Sequence, residues 1–283
     1  RCRVGASIGQ RLTHWIDRAA ALLGESIRQH QAMSGGDVAA VARLELASGA
    51  VVVAKASPQA PQEATMLRRL AAAGVPTPEV LAEDNALLVL SLIHHDGRVE
   101  TSWQDLGRVF ARLHQTTGPH YGWHADYAFG DVPILNTPCD HWPTFWGQQR
   151  LLPLIADLPS KLAQRTERLI ASLPERLPAR PPAALLHGDA WTGNLLVRDG
   201  RMAAFIDPAC YYGHAEVDLA MLRLFARPGG EFFESYGCRS SESDERLPVY
   251  QLWPALVHYR LFGPSYRGLV ERLLAGAGVM LRA

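Results

Sequence analysis

Cysteine is scarce in this sequence, and no two cysteines form a metal-binding or redox motif. The 283 residues contain four, Cys2, Cys139, Cys210 and Cys238, and none of them belongs to a Cys-x-x-Cys pair. A zinc knuckle and a thioredoxin-like centre are therefore not expected. Scattered cysteines of this kind are typical of a reducing compartment, so we expect a cytoplasmic protein.

Long hydrophobic runs are also missing. Residues 86–90 form one of the longest continuous apolar stretches, whereas a helix that spans a bilayer needs about 20 such residues. The first residues, Arg1-Cys2-Arg3, carry no apolar core of a signal peptide, and the absence of an initiator methionine indicates that processing or trimming set this end. We therefore expect no membrane partner.

The chain has no excess charge of either sign, because 28 basic residues balance 28 acidic ones. A surface that holds nucleic-acid phosphates or anionic lipid needs a basic excess, so we expect neither partner, although a local basic groove is compatible with this balance. Hydrophobic residues make up 48% and charged residues 20%, which is the composition of a folded globular chain. The length allows one large domain or two packed lobes.

The first part of the chain, residues 1–93, is predicted to be a small α+β lobe that follows a leading helix. Apolar residues recur at helical spacing over residues 8–23 and again over residues 62–73. Residues 38–56 alternate around the turn Ser48-Gly49 and predict a hairpin that would hold the first strand. Residues 80–81 and 86–93 predict a further strand pair.

Residues 94–283 are predicted to be a larger, mostly helical lobe. A capping box of Ser102 and Asp105 predicts a helix start, and residues 174–182 predict a proline-rich connector. Residues 116–139 lack a clear period and predict a long ordered loop of the kind that is often functional. The predicted helices cover residues 142–158, 161–173, 216–225 and 247 to the end.

The segment from 185 to 207 is the most informative for function. Asp199-Gly200 is a strong hairpin turn between two apolar runs. Antiparallel pairing about that turn places Asn194 and Asp207 side by side at the open end, with Asp189 in the loop just upstream. Such carboxylate and amide oxygens suit Mg²⁺, which takes one or two carboxylates and completes its shell with water and phosphate.

Asp189 and Asn194 also have the spacing of the catalytic loop of protein kinases. In that loop the aspartate accepts the proton of the substrate hydroxyl and the asparagine holds metal. Asp207 would then be the second metal ligand. His187, next to an apolar run, is interpreted as a structural residue that orients the loop backbone.

The smaller lobe carries candidates for the nucleotide phosphates. Ser34-Gly35-Gly36 would let backbone N–H groups approach phosphate oxygens. Lys55 ends the apolar strand, where a kinase places the lysine that pairs the phosphates. Glu63, early in the next helix, is the obvious partner of Lys55.

At this point the sequence resembles the fructosamine kinase family, also called ketosamine or ribulosamine kinases, within the aminoglycoside-phosphotransferase-like group. The segment HGDAWTGN at residues 187–194 is similar to the family's HGDLWSGN, and IDPACYYGHAEVDLAM at residues 206–221 is similar to its IDPAxYYGxxExDLAM. The resemblance spans nearly the whole chain, and the two motifs are highly specific in combination.

The resemblance implies a bilobal protein-kinase-like fold and ATP- and Mg²⁺-dependent phosphorylation of a sugar hydroxyl on a free or protein-bound ketosamine. The expected product is a 3-phosphate that decomposes and releases the amine, which would be deglycation repair. Residues 1–93 would be the ATP-binding lobe and residues 94–283 the catalytic and substrate-binding lobe.

Each motif match implies a role for a residue of this chain. The roles are: base for Asp189; Mg²⁺ ligand for Asn194 and Asp207; phosphate positioning for Lys55 with Glu63; adenine contact through the backbone for Ser91 and Ile93; sugar stacking for Trp191; and bracing of the catalytic loop for Glu216 and Asp218. The step from Lys55 to Glu63 is short for the family, so the partner of Lys55 stays open.

Three alternatives are compatible with the same residues. The acceptor could be an aminoglycoside or another small amino alcohol. The protein could be a metal-dependent phosphoesterase that uses His187, Asp189 and Asp207, or an inactive ATP-binding module. The sequence also leaves open the sugar, the amine carrier and the oligomeric state.

Overall fold

A computed structural model describes residues 8–33, 40–237 and 244–280, with side chains from residue 15 onward. The N-terminal part consists of two helices and one antiparallel sheet of five strands in the order β1-β2-β3-β5-β4. Its elements are α1 (Ile8–Leu23), β1 (Ile27–Met33), β2 (Ala40–Leu46), β3 (Val51–Ala56), α2 (Ala60–Ala72), β4 (Val80–Glu83) and β5 (Leu87–Ser91).

The two helices pack on opposite faces of this sheet. Successive residues of a strand point to opposite sides, so one strand can contribute apolar side chains to both helices. Val52 and Val89 lie in the core under α1, together with Trp15 of that helix. Leu88 and Leu90 lie in the core under α2. Both apolar faces of β5 are therefore covered, and the strand reads as a continuous hydrophobic run.

The expectation that the hairpin at 38–56 holds the first strand is wrong, because β1 precedes it. β1 is an edge strand whose residues are exposed after the half-buried Ile27, so it lacks the apolar alternation that signals a strand. It pairs with β2, with Met33 opposite Val41. The predicted hairpin itself is present as β2 and β3, with Glu45 opposite Val51.

The rest of the described chain is mostly helical around one large core. Its elements are α3 (Trp103–Gln115), β6 (Tyr127–Phe129), β7 (Val132–Ile134), α4 (Trp142–Phe145), α5 (Ser160–Arg176), β8 (Ala184–Leu186), β9 (Leu195–Arg198), β10 (Arg201–Phe205), β11 (Tyr211–Gly213), α6 (Glu216–Phe225), α7 (Gly230–Tyr236), α8 (Leu247–Phe262) and α9 (Arg267–Gly276). The α+β class and the two-lobed architecture are as predicted.

Several local expectations differ from the structure. The stretch 142–158 begins as α4 and continues as a π turn over Trp146–Leu151 and a 3-10 turn over Leu152–Asp157. α5 runs past Pro174 to Arg176 before the connector begins. The loop at 116–139 contains the hairpin of β6 and β7. A single C-terminal helix is replaced by α8 and α9.

The prediction that Ser102 and Asp105 form a capping box is also wrong. The Ser102 hydroxyl donates to Val99 O at 3.0 Å instead of capping α3. Asp105 Oδ2 accepts a hydrogen bond from Met202 N at 2.8 Å. Asp105 therefore ties α3 to β10, a contact across 97 residues that a local motif does not reveal.

Just after the predicted boundary at residue 93, the chain is already bonded to the larger lobe, because Asp96 N donates to Val197 O at 2.7 Å. A contact between the lobes is the hydrogen bond from Phe205 N to Pro76 O at 2.8 Å. Met66 of α2 belongs to the core of the larger lobe, so the apolar contacts continue across the boundary. The division into residues 1–93 and 94–283 stays a prediction. Within the described ranges, no helix is both long and apolar enough to cross a membrane.

Candidate active site

The hairpin of β9 and β10 brings Asn194 and Asp207 to one end. Its turn residues Asp199 and Gly200 have φ angles of 51° and 70°, the positive values that a two-residue hairpin turn of type I′ requires. Phe205 lies opposite Leu195, and one step further Ile206 N donates to Asn194 O at 3.0 Å. The next residue, Asp207, leaves the hairpin with a φ of 52°.

Asn194 holds Asp189 in place. Its Nδ2 lies 2.9 Å from both the backbone oxygen and Oδ2 of Asp189. Burial raises the pKa of the Asp189 carboxyl to about 7. Because the amide nitrogen of Asn194 faces Asp189, its Oδ1 atom is left for another ligand.

Lys55 joins this group from the smaller lobe. Its Nζ atom lies 2.8 Å from Glu63 Oε2 and 2.7 Å from Asp207 Oδ1. Burial opposes the charge of Lys55, but the carboxylates of Glu63 and Asp207 outweigh it and raise its pKa. Burial also raises the pKa of Glu63 against the effect of the Lys55 ammonium. Glu63 is thus a partner of Lys55 despite the short sequence step between them.

Asp218 of α6 fixes the loop at residues 187–194 from beneath. Its carboxylate accepts hydrogen bonds from His187 N at 2.8 Å and Gly188 N at 3.0 Å. Gly188 has a φ of 82°, and a Cβ there would lie 2.0 Å from Ala209 O, so only glycine fits. Glu216 does not brace the loop as expected, because its carboxylate pairs with Arg246 at 2.6 and 2.8 Å.

His187 is a buried, neutral part of the loop scaffold. Its Nε2 atom lies 3.1 Å from Ile206 O, and its Nδ1 accepts a hydrogen bond from Asp189 N at 3.3 Å. One ring nitrogen therefore donates and the other accepts, as in the uncharged imidazole. Burial lowers the pKa of His187, which keeps it neutral.

Trp191 lies on the surface of the loop, two residues after Asp189. Its side chain is 42% exposed and its indole covers Gly193, where a Cβ would come within 2.2 Å of the ring. The ring of Phe225 meets it at a centroid distance of 6.4 Å and an interplanar angle of 65°. An aromatic surface is therefore open to solvent beside the loop.

The structure describes only some of the residues expected to bind the nucleotide. Ser34, Gly35 and Gly36 lie outside the described residues. The Ser91 N–H donates to Glu79 O at 2.9 Å. Adenine contact through the backbone of Ser91 stays a prediction. The backbone of Ile93 forms no hydrogen bond with any described residue and is half-buried.

Sequence reasoning missed Tyr127, which β6 carries from the long loop to this site. Burial raises the pKa of its phenol, and the carboxylates of Glu63, Asp207 and Asp189 raise it further. The phenol of Tyr127 therefore stays neutral, and the charge of the site acts on it. An aromatic residue in a long ordered loop was a signal, but nothing local distinguished it from its neighbours.

The described residues contain no cluster of three or more histidine, cysteine, aspartate or glutamate side chains that could hold a metal. Two oxygen donors remain, the Asp207 carboxylate and Asn194 Oδ1, at the same end of the hairpin. Mg²⁺ commonly takes so few protein ligands and fills its shell with water and substrate phosphate. The residues present therefore fit a Mg²⁺ ion that arrives with a phosphate ligand.

The fold and the site together define a two-lobed phosphotransferase architecture, with a lysine from a small sheet lobe facing an Asp–Asn–Asp group of a helical lobe. The fructosamine kinase family model matches residues 12–277. The chain belongs to the fructosamine kinase family, as the two motifs predict.

Curated relatives support this assignment. A probable ketoamine kinase of Thermus thermophilus is 32% identical over 254 residues, which cover 87% of this chain and 92% of that protein. The chloroplastic protein-ribulosamine 3-kinase of Arabidopsis thaliana is 34% identical over 192 residues, which cover 63% of this chain and 58% of that protein. The aligned region thus spans most of the first relative but less than two thirds of the second.

Solved structures show the same fold. The crystal structure of a candidate fructosamine-3-kinase from Thermobifida fusca is 29% identical, with a TM-score of 0.85 and coverage of 93% of this chain and 97% of that chain. The aminoglycoside phosphotransferase APH(4)-Ia, in complex with AMP-PNP and hygromycin B, is 17% identical, with a TM-score of 0.65 and coverage of 94% and 99%. At that identity the second likeness shows the fold alone.

Proposed function

We propose that this protein transfers the γ-phosphoryl group of ATP to a sugar hydroxyl of a ketosamine, with Asp189 as the general base. The observation that carries the proposal is the half-buried Asp189 carboxyl, held by Asn194 in the same site in which Lys55 of the smaller lobe pairs with Asp207. The family membership supports the same reaction.

Asp189 suits the role of base because its pKa of about 7 lies near neutral pH, where a base works best. The two hydrogen bonds from Asn194 Nδ2 keep the carboxylate in one orientation. As the sugar oxygen attacks the γ-phosphorus and the bond to the β-phosphate oxygen breaks, the hydroxyl proton passes to Asp189. ADP leaves with the electron pair of the broken bond.

The nucleotide site would be shared between the lobes, residues 1–93 supplying the ATP-binding lobe and residues 94–283 the catalytic lobe. Lys55, oriented by Glu63, would pair the phosphates, and Asn194 and Asp207 would hold Mg²⁺. When bound, ATP would supply the phosphoryl group, and Mg²⁺ would neutralise part of the charge on the phosphate oxygens. Ile93 offers free backbone groups for adenine, and Ser34, Gly35 and Gly36 would cover the phosphates.

The acceptor would bind beside Trp191. Aromatic faces suit the apolar face of a sugar ring, and the exposed indole of Trp191 with the edge of Phe225 offers such a surface two residues from the base. The names of the relatives, ketoamine kinase and protein-ribulosamine 3-kinase, favour a ketosamine, free or protein-bound. An exposed position accommodates an amine carrier of any size, and deglycation repair in the cytoplasm is the role that fits this chemistry.

Both rival activities explain less of the site. An aminoglycoside is a polycation, so acidic residues around the acceptor would favour it. The surface beside Trp191 is aromatic instead, because the ring of Phe225 packs against the indole. A phosphoesterase that uses His187 as a metal ligand conflicts with its ring nitrogens, since both are engaged by backbone groups. It also leaves Lys55 without a role.

A turnover panel tests the proposal. Purified protein with Mg²⁺-ATP is given ribulose-lysine, fructose-lysine, an aminoglycoside or a phosphoester, and ADP and inorganic phosphate are measured separately. ADP formation that depends on a ketosamine is the expected result. Two results would contradict the proposal. One is ADP formation with the aminoglycoside but with neither ketosamine, and the other is release of phosphate from the ester without ATP.

A further inference from the structure

Helix α2 contacts the larger lobe at successive levels along one side. Glu63, Met66 and Arg69 follow one another at three-residue spacing, so each is a surface neighbour of the next. They face residues 207–212, the segment that continues from the hairpin of the candidate active site. Glu63 belongs to that site, because Lys55 pairs with both Glu63 and Asp207.

The other two levels are direct contacts between the lobes. Met66 Sδ accepts a hydrogen bond from Cys210 N at 3.2 Å. Arg69 donates to the Tyr212 hydroxyl through Nε at 3.1 Å and through Nη2 at 2.9 Å. The Arg69 guanidinium also lies 6.0 Å from the centre of the Tyr212 ring. Arg69 and Tyr212 are 143 positions apart in the chain.

Tyr212 is held firmly by the larger lobe. Its backbone N–H and C=O both bond to Gly122, each at 2.9 Å. Its ring lies over Gly118, where a Cβ would come within 2.5 Å, and against Trp123 at a centroid distance of 5.5 Å. The hydroxyl that Arg69 reaches is therefore a fixed point of the larger lobe.

We propose that Arg69 and Tyr212 are a positioning pair that fixes α2 on the larger lobe and thereby holds Glu63 and Lys55 at the nucleotide phosphates. Neither residue reaches the reacting atoms. A shift of α2 by about 1 Å would lengthen the contact between Glu63 and Lys55, and a displacement of that size is enough to impair a phosphate site. The inference rests on the nucleotide use in the proposed function.

Arg68 provides a matched control on the same helix. Its guanidinium is exposed and bonds to both oxygens of Glu83, at 2.7 and 2.6 Å, within the smaller lobe. Arg68 and Arg69 therefore differ mainly in which lobe they reach. Replacing either removes one cation from α2, so an effect of charge alone would appear in both variants.

The test compares Arg69→Met, Tyr212→Phe, their combination and Arg68→Met by calorimetric binding of AMP-PNP with Mg²⁺. Each of the first two is expected to weaken binding by about 3- to 10-fold, and the double variant should be no weaker than the single ones, because one shared contact is lost. Arg68→Met should bind like the unmodified protein. Unchanged affinity in Tyr212→Phe, or losses that add in the double variant, would overturn the positioning pair.

Steady-state kinetics separate this role from a general loss of structure. The KM for ATP should rise in the Arg69 and Tyr212 variants while the KM for the acceptor stays constant, and Tyr212→Phe removes only one oxygen atom from the fold. An equal rise in both KM values would contradict the inference. If the unmodified protein binds AMP-PNP but turns over no ketosamine, the proposed function fails and the binding comparison still decides the inference.

Discussion

Lys55 and Asp207 are 152 positions apart in the chain, and their side chains form an ion pair of 2.7 Å between Nζ and Oδ1. The lysine comes from β3 of the smaller lobe and the aspartate from the end of the hairpin of β9 and β10. Glu63 holds the same ammonium from α2 at 2.8 Å. This contact joins the two lobes at the point where the account places the nucleotide phosphates.

The first prediction concerns the burial of Glu63. Its side chain is only 1% exposed, so Lys55→Met leaves a buried carboxylate without its cation, at a cost of about 3 kcal/mol in the free energy of unfolding. Burial already raises the pKa of Glu63. A Glu that protonates as the pH falls no longer needs the cation, so the loss should be smaller at pH ~5 than at pH ~8. Urea unfolding of the variant and the unmodified protein at both pH values measures this loss of stability.

The matched control for this variant is Lys55→Met combined with Glu63→Gln. The amide carries no charge, so the double variant should regain most of the lost stability while phosphoryl transfer stays abolished. If the destabilisation by Lys55→Met is independent of pH and Glu63→Gln does not relieve it, the unpaired carboxylate of Glu63 is not the cause of the lost stability.

The second prediction separates catalysis from stability at Asp189. Asp189→Asn should reduce transfer by about 10²- to 10⁴-fold, the usual effect of losing a general base. Because burial makes the charge of Asp189 costly, the same change should raise the melting temperature by about 2–4 °C. Asp199→Asn, on the exposed hairpin turn, should change neither quantity. A fully active Asp189→Asn variant would remove Asp189 from the mechanism.

The third prediction is the pH dependence of transfer. The pKa of Asp189 is about 7, and only the ionised carboxylate accepts a proton. With both ATP and the acceptor well below saturation, so that the rate reports the free protein, transfer should therefore fall about tenfold per pH unit below that value and level off above it. His187 does not produce this profile, because burial lowers its pKa. A profile that is flat between pH ~5.5 and ~8 would contradict the role of Asp189.

The fourth prediction concerns the acceptor side. Trp191→Leu should raise the KM for a ketosamine by about 3- to 10-fold, the value of an aromatic stacking contact. The KM for ATP should not change, and the melting temperature should change little because the indole is 42% exposed. Trp191→Phe retains a ring and should be intermediate. If the KM for ATP rises as much as that for the acceptor, Trp191 does not form the sugar surface.

The hairpin of the site could be predicted because its signals are local. Asp199-Gly200 determines the turn, and antiparallel pairing then places Asn194 beside the residues that lead to Asp207. α6 also follows its prediction at both ends, Glu216–Phe225. In both segments, turn chemistry and apolar period agree over a few residues.

Other features could not be predicted because their causes are distant in the chain. β1 is stabilised by pairing with β2 rather than by an apolar face of its own. α7 is short, and its buried Phe232 packs against Trp103 and Phe110 of α3. Tyr127 and Arg69 gain their importance from partners far away in sequence, which no local pattern encodes.

The most direct test of the central claim is phosphorus NMR of the products formed from Mg²⁺-ATP and ribulose-lysine. The account predicts that ADP and a phosphate ester of the sugar appear in equal amounts with the unmodified protein, and that neither appears at a comparable rate with Asp189→Asn. Formation of ADP and inorganic phosphate without a sugar ester, or an undiminished yield of the ester in Asp189→Asn, would contradict it.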